Sequence, residues 1–170
     1  MEGGVFWSAP EGPCSDVAGC ANRPVVHVSR HNALAQRAWA GARLLTEGEW
    51  EYAARGGWHR GAALYLGRRL RRGTGEHLAG RRPSGQHMPR GATGTVPVEA
   101  YESNGFGLFN TVGNVGEWCA GRFVPAGEER MIRGGSYLCR ASYRRYRVAA
   151  RSKNSPDSAA GHGGSGARGT

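Results

Sequence analysis

The 170-residue sequence is short of several things that would place it quickly. It has one lysine, Lys153, against 22 arginines, and no apolar run approaches the roughly 20 residues that a membrane span requires. There is no apolar leader-type core near the start, so the expected location is cytoplasmic and no membrane partner is expected. Four cysteines, Cys14, Cys20, Cys119 and Cys139, form no CxxC pair and no zinc-type spacing, which argues against a structural metal cage. Cys14 and Cys20 could close a small disulfide loop in an oxidising compartment, but nothing in the sequence requires it.

Acidic residues are also scarce, 13 against 23 basic ones, giving a formal charge of +10. Such a balance suggests nucleic acid until its distribution is considered. Between Trp58 and Gly91, eight arginines (60, 68, 69, 71, 72, 81, 82 and 90) face one acid, Glu76, so this stretch carries +7 and the rest of the chain only +3. One atypical Arg/Gly-rich segment sets the charge, and no nucleic-acid partner is expected. Apolar residues in it follow neither helical nor strand period, so poor order is expected there.

What is present is glycine, 29 residues of it, in a chain long enough for one domain. Short elements separated by many loops follow. Pro24–Ser29, PVVHVS, reads as a short strand. Ser29 then caps a helix over 31–40, with Ala33, Leu34, Ala38 and Trp39 at helical spacing and Gly41 as the stop. Thr46 and Glu49 make a capping box that opens a second helix through Trp50, Tyr52, Ala53 and Ala54 to Gly56 and Gly57. Thr95–Tyr101 alternates like an edge strand broken by Pro97, Asn104–Leu108 is turn chemistry, and Asn110–Trp118 a compact loop. Met131–Leu138 is expected to pair with Arg145–Arg151, whose alternation gives a basic outer face. After Asp157 the composition argues for a tail that cannot pack.

Cys139 stands out chemically. It ends RGGSYLC (133–139), after a glycine turn and beside an arginine-rich stretch, where guanidinium groups bias a thiol toward thiolate. It is a candidate nucleophile or soft-metal ligand; the plain alternative is a small buried hydrophobe.

Five blocks, PVVHVS (24–29), LLTEGEWEYAARGG (44–57), NGFGLFNTVGNVGEW (104–118), RGGSYLC and RVAARSKNSPDS (147–158), resemble the formylglycine-generating enzymes, or sulfatase-modifying factors, in that family's order. The resemblance implies a loop-rich α+β fold related to the C-type lectin domain, with a small twisted antiparallel sheet and two flanking helices. It implies a partial domain over 1–158, atypical at 58–91, followed by an unstructured tail at 159–170. It also implies a monomer acting on a sulfatase polypeptide or CxPxR peptide, whose cysteine is oxidised to formylglycine with molecular oxygen and copper(I) held by two thiolates.

By the same resemblance Cys139 is one copper ligand, Ser136 and Tyr143 position the reacting sulfur and oxygen, and Arg151 belongs to the substrate cleft. Asn110, Gly113, Val115 and Glu117 would hold a structural calcium ion, oxygen donors on a tight loop suiting a hard cation. A second family calcium site is expected to be absent.

Departures from the pattern are as informative. The second cysteine, due five residues after Cys139, is missing from Ser142-Tyr143-Arg144-Arg145-Tyr146-Arg147, which is also one residue short. Gly116 stands where the family has an aromatic residue, and Arg140 where it has histidine. The arginine-rich stretch and the tail look like shifted reading of GC-rich DNA. The expectation is therefore an impaired or inactive copy, the alternative being a non-catalytic lectin-like binding module.

Overall fold

The computed structural model describes residues 6–10, 14–57, 94–100, 103–137, 147–159 and 163–164. The expectation for Trp58–Gly91 lies outside them. Among the described residues the order is α1 (Arg30–Trp39), α2 (Glu47–Arg55), β1 (Gly116–Arg122), β2 (Arg130–Arg133), β3 (Ser152–Asn154) and β4 (Gly163–Gly164). No helix among them is long and apolar enough to cross a membrane.

Both helices begin where side chains can satisfy the first free amides. Ser29 Oγ accepts from the Asn32 amide and Asn32 Oδ1 accepts from the Ser29 amide; Thr46 and Glu49 repeat the exchange at α2. Helix α2 ends at Gly56, with φ 59°. A Cβ there would also lie 2.8 Å from Asn104, so both the left-handed turn and the close approach of the 104–105 turn require glycine. Asn104 Nδ2 donates to the Ala53 carbonyl, tying that turn to the helix end.

The sheet order is β3-β2-β1-β4. β1 and β2 are antiparallel with Glu117 opposite Arg133 and Trp118 opposite Ile132, and β2 and β3 are antiparallel with Ile132 opposite Ser152. Side chains alternate across a strand, so each strand feeds two cores. Cys119 and Met131 join Trp50, Ala54, Val112 and Val148 on the α2 side. Trp118 and Ile132 join Ala33 and Leu44 on the α1 side. Trp118 Nε1 donates to the Val28 carbonyl, Arg30 Nη2 to the Ala120 carbonyl, and the Ala120 amide to the Leu45 carbonyl, which fixes α1 and its flanks against β1.

The α+β, loop-rich expectation holds, with corrections to individual strands. The 24–29 stretch buries Val26 and Val28 but is broken at His27, whose φ is 55°, and is not one of the strands. The described part of 95–101 is held mainly by side chains, Val96 exchanging two bonds with the Asn114 side-chain amide and Asn110 Nδ2 donating to the Pro97 and Val98 carbonyls, with Val98 N on the Asn22 carbonyl, and forms no strand. Gly116–Trp118, read as loop, opens β1.

β2 pairs with 152–154 and not with the described residues 147–151 of the expected partner, because 147–149 turn so that Val148 reaches the core while Arg147 stays exposed; Leu138 and residues 145–146 of that expectation lie outside the described residues. The stretch read as tail contributes β4, which pairs parallel with Gly116–Glu117, so the sheet is not purely antiparallel.

The α2 cap yields a pH expectation. The Glu49 carboxyl is held down to about 2 by hydrogen bonds from Arg43 and then from the Thr46 amide and hydroxyl. A depressed acid stabilises the fold above its ordinary pKa and loses that effect as pH falls through the folded value. Wild type should therefore melt higher than Glu49→Gln at pH 7, with the difference vanishing between about pH 4.5 and 2. A difference in Tm that is constant down to pH 2 would refute the assignment.

Candidate functional site

Helix periodicity puts Glu47, Trp50, Glu51 and Ala54 on one face of α2, spaced i, i+3, i+4 and i+7. Trp50 and Ala54 are buried; the two carboxylates point along the same side toward the end of β2. There Arg133, 1% exposed, places Nη1 3.0 Å from Glu47 Oε1 and Nη2 2.6 Å from Glu51 Oε2. The same two nitrogens donate to the carbonyls of Ala149 (3.2 Å) and Val148 (2.8 Å), and the guanidinium lies over the Trp50 ring at 5.2 Å. Trp50 Nε1 in turn donates to Glu117 Oε2 at 2.9 Å, on the strand opposite Arg133.

Burial opposes ionisation of Glu51, but the hydrogen bonds and charges of Arg55 and Arg133 prevail and leave its carboxyl below its ordinary pKa. Glu47 also takes Arg151 Nε at 2.7 Å. Arg151 is therefore anchored on α2, with Nη2 on the Phe123 carbonyl at 3.0 Å and its guanidinium over the Phe123 ring at 4.9 Å.

After Arg133 the chain enters Gly134–Gly135, both with positive φ (91° and 70°). A Cβ on Gly134 would meet the Thr111 carbonyl at 3.3 Å and Trp50 at 3.4 Å. This turn carries the chain to Ser136, which is 3% exposed. The Gly113 amide donates to the Gly134 carbonyl and the Tyr137 amide to the Asn114 carbonyl, both at 2.8 Å, so the 110–115 loop lies directly against the RGGSY turn.

The candidate calcium residues are divided in what they do. Asn110, with φ 48°, donates from Nδ2 to the carbonyls of Pro97 and Val98, while its Oδ1 is buried with no donor. Gly113 and Val115 lie buried in the loop, and Glu117 sits on β1 toward Trp50. Among the described residues no group of three or more His, Cys, Asp or Glu side chains converges.

Ser136 and Arg151 are thus placed, whereas Cys139 and Tyr143 lie outside the described residues. The other cysteines are free thiols: Cys14 is exposed, Cys20 half-buried, Cys119 fully buried. Burial, reinforced by Glu117, pushes the Cys119 thiol up to about 12, and its Sγ faces the Glu117 carbonyl at 3.9 Å.

A cavity of about 560 Å³ is lined in part by Tyr137, together with Trp7, Pro10, Cys20, Arg23 and His27. Neither this cavity nor the Arg133 cluster was anticipated from sequence. The two acids at i and i+4 on an otherwise apolar helix face were the available signal for the cluster.

The family model for the sulfatase-modifying factor enzyme 1-like domain matches residues 1–165. The chain belongs to this family. Within the sulfatase-modifying factor family it is 47% identical, over 94% of its length, to the formylglycine-generating enzyme of Streptomyces coelicolor, and spans 56% of that protein. It is 43% identical over 92% of its length to the formylglycine-generating enzyme of Mus musculus, spanning 47% of it. It is also 41% identical over 91% to the mouse protein called inactive C-alpha-formylglycine-generating enzyme 2, spanning 52%. The chain therefore spans about half the length of these relatives.

The fold is shared with PvdO from Pseudomonas aeruginosa (TM-score 0.65, 22% identity, 85% of this chain and 60% of that one). It is shared too with Treponema denticola variable protein 1 (TM-score 0.64, 22% identity, 85% and 70%). The family's blocks coincide with the contacts described: LLTEGEWEY supplies Glu47, Trp50 and Glu51, and RGGS supplies Arg133 and Ser136.

The cysteines can be ranked directly. An alkylating reagent at pH 8 should modify Cys14 within minutes and leave Cys119 intact until denaturant is added, since it acts on the thiolate. Peptide mass spectrometry reads both sites, and modification of Cys119 at a rate near that of Cys14 in native protein would contradict its placement.

Proposed function

We propose that this chain is a formylglycine-generating-type domain that engages the CxPxR cysteine segment of a sulfatase polypeptide and oxidises it weakly or not at all. The observation that carries this is the composition of the thiol segment: Cys139 is present, and no cysteine occurs from Arg140 to Arg147, a stretch one residue short where the resemblance places the second thiolate. Copper(I), where two thiolates bind it, supplies a soft, low-coordinate centre for reaction with oxygen. Here the donor set does not fit. Among the described cysteines Cys119 cannot substitute, because its thiol is buried and held protonated. Where the second ligand is missing, the sequence offers Arg144 and Arg145, cationic neighbours that repel a metal ion.

Other features support retained recognition of a peptide. The cavity beside Tyr137 has aromatic, proline and arginine walls suited to an extended segment. By family resemblance Ser136 and Tyr143 address the reacting sulfur and oxygen, and Arg151, anchored by Glu47, contacts the bound segment. A non-catalytic lectin-like binding module is the second reading, favoured by the same missing thiolate and by likeness to a relative named inactive. Both readings keep the cavity; they differ in turnover. Incubation of the protein with copper(I), oxygen and a CxPxR peptide should give no aldehyde detectable by mass spectrometry. Stoichiometric conversion would overturn the proposal.

We also propose a calcium ion on the 110–117 loop. Support comes from the buried Asn110 Oδ1 that no donor satisfies, on a loop whose Gly113 and Val115 carbonyls and Glu117 carboxylate are oxygen donors. An unpaired buried acceptor costs about 1–3 kcal/mol, which a hard cation would recover. Millimolar calcium should raise Tm relative to protein in chelator, by an amount equivalent to about 2.7 kcal/mol at a hundredfold excess over Kd. The rise should disappear in Asn110→Ala; a calcium-independent Tm in the parent protein would sink the idea.

A further inference from the structure

We propose an anion-binding site at the corner where the start of α1 meets the β1–β2 hairpin, built by Arg30, Arg122 and Arg130 and suited to a free tetrahedral dianion of the phosphate or sulfate type. The corner contains none of the residues assigned to the thiol chemistry or to the calcium loop.

The sheet register brings these cations together. Arg122 on β1 and Arg130 on β2 are directly opposite each other. Cross-strand partners share one face of a sheet, and like charges so placed are destabilising. Ile132, two residues beyond Arg130, packs with Ala33 of α1, so strand alternation puts Arg130 on the α1 side as well. Arg30, the first residue of α1, reaches the same corner, where its Nη2 donates to the Ala120 carbonyl at 2.7 Å, two residues before Arg122. Burial, and then the charge of Arg130, lower the pKa of Arg30, as two guanidinium groups within each other's field require.

Among the described residues no carboxylate pairs with any of the three. Asp157 is taken by His31 and Glu129 by Lys153. Arg122 gives Nη1 to the Gly127 carbonyl at 2.7 Å. The Nε atoms of both Arg30 and Arg130 are buried without a partner. The first turn of α1 holds no acid, and its Arg30 and Asn32 amides are already bound to the Pro156 carbonyl and Ser29 Oγ. The helix end therefore adds positive potential while the guanidinium groups supply the contacts.

A solvated basic surface accounts for long side chains that extend into water. It does not account for two half-buried guanidinium groups set near each other with no acid between them. Each planar fork matches two oxygens of an oxyanion, and two forks match the charge of a dianion.

The test is thermal melting and calorimetric titration of the full chain in chelator at about pH 7.5, with inorganic phosphate compared with chloride at matched ionic strength. Phosphate should raise Tm above its value in chloride and bind one to one. Arg130→Met and Arg30→Met should each weaken phosphate binding by about tenfold or more, the loss expected of one charge-assisted contact. In chloride, Arg130→Met should melt no lower than wild type, since it relieves repulsion. Arg147→Gln removes an exposed arginine outside the corner and should bind phosphate as wild type does. Equal Tm in phosphate and chloride would overturn the proposal. So would a weakening by Arg147→Gln as large as that by Arg130→Met, which is the behaviour of a diffuse positive surface. If Arg130→Met fails to fold, Arg122→Gln takes its place with the same expected loss.

Discussion

One buried charge organises this domain. Arg133 is removed from water almost completely, and a guanidinium so placed must be met by acceptors or it costs several kcal/mol. Its acceptors come from the first turns of α2 and from the turn before β3, so the cost can be met only when helix, sheet and returning chain are all in place. Trp50 closes the arrangement by covering the guanidinium on one side and donating to Glu117 on the other. Polar pairing and apolar packing therefore involve the same residues, and neither survives displacement of the other.

Helices were readable in advance because their signals are local. A side-chain acceptor three residues before an amide, and a glycine where the backbone must turn left-handed, fix both ends of α1 and α2 with no reference to the rest of the chain. Strands lack that independence. Residues 147–151 alternate as a strand should, yet the Val148 and Ala149 carbonyls are drawn to Arg133 and the ladder begins only at Ser152. Gly163–Gly164 carries no side-chain signal at all; its pairing with β1 depends on backbone groups that composition does not describe.

The site was legible to the degree that it is compact in sequence. RGGS and NTVGNVGE each hold their residues within a few positions, and the structure sets these two segments side by side through the Gly113 and Tyr137 amides. Arg133 heads RGGSYLC, yet nothing in the sequence marked it as a buried anchor, since it is one of 22 arginines. Only the spacing of Glu47 and Glu51 on an apolar face hinted that a cation had to arrive from elsewhere. Arg151 shows the converse: resemblance singled it out, and its pairing with Glu47 explains how so long a side chain is held in one orientation.

The ties between α2 and the rest of the core span long stretches of chain: 86 residues from Glu47 to Arg133, 67 from Trp50 to Glu117, and 51 from Ala53 to Asn104. All three enclose residues 58–93. The entropy of closing a chain grows only with the logarithm of its length, so halving or doubling that enclosed stretch changes the closure by about 0.6 kcal/mol. With both ends held by a buried ion cluster and an indole bond, selection on the content of the intervening chain is weak as far as folding is concerned. That makes it the stretch of this fold where composition can drift furthest from its relatives while the two cores stay assembled.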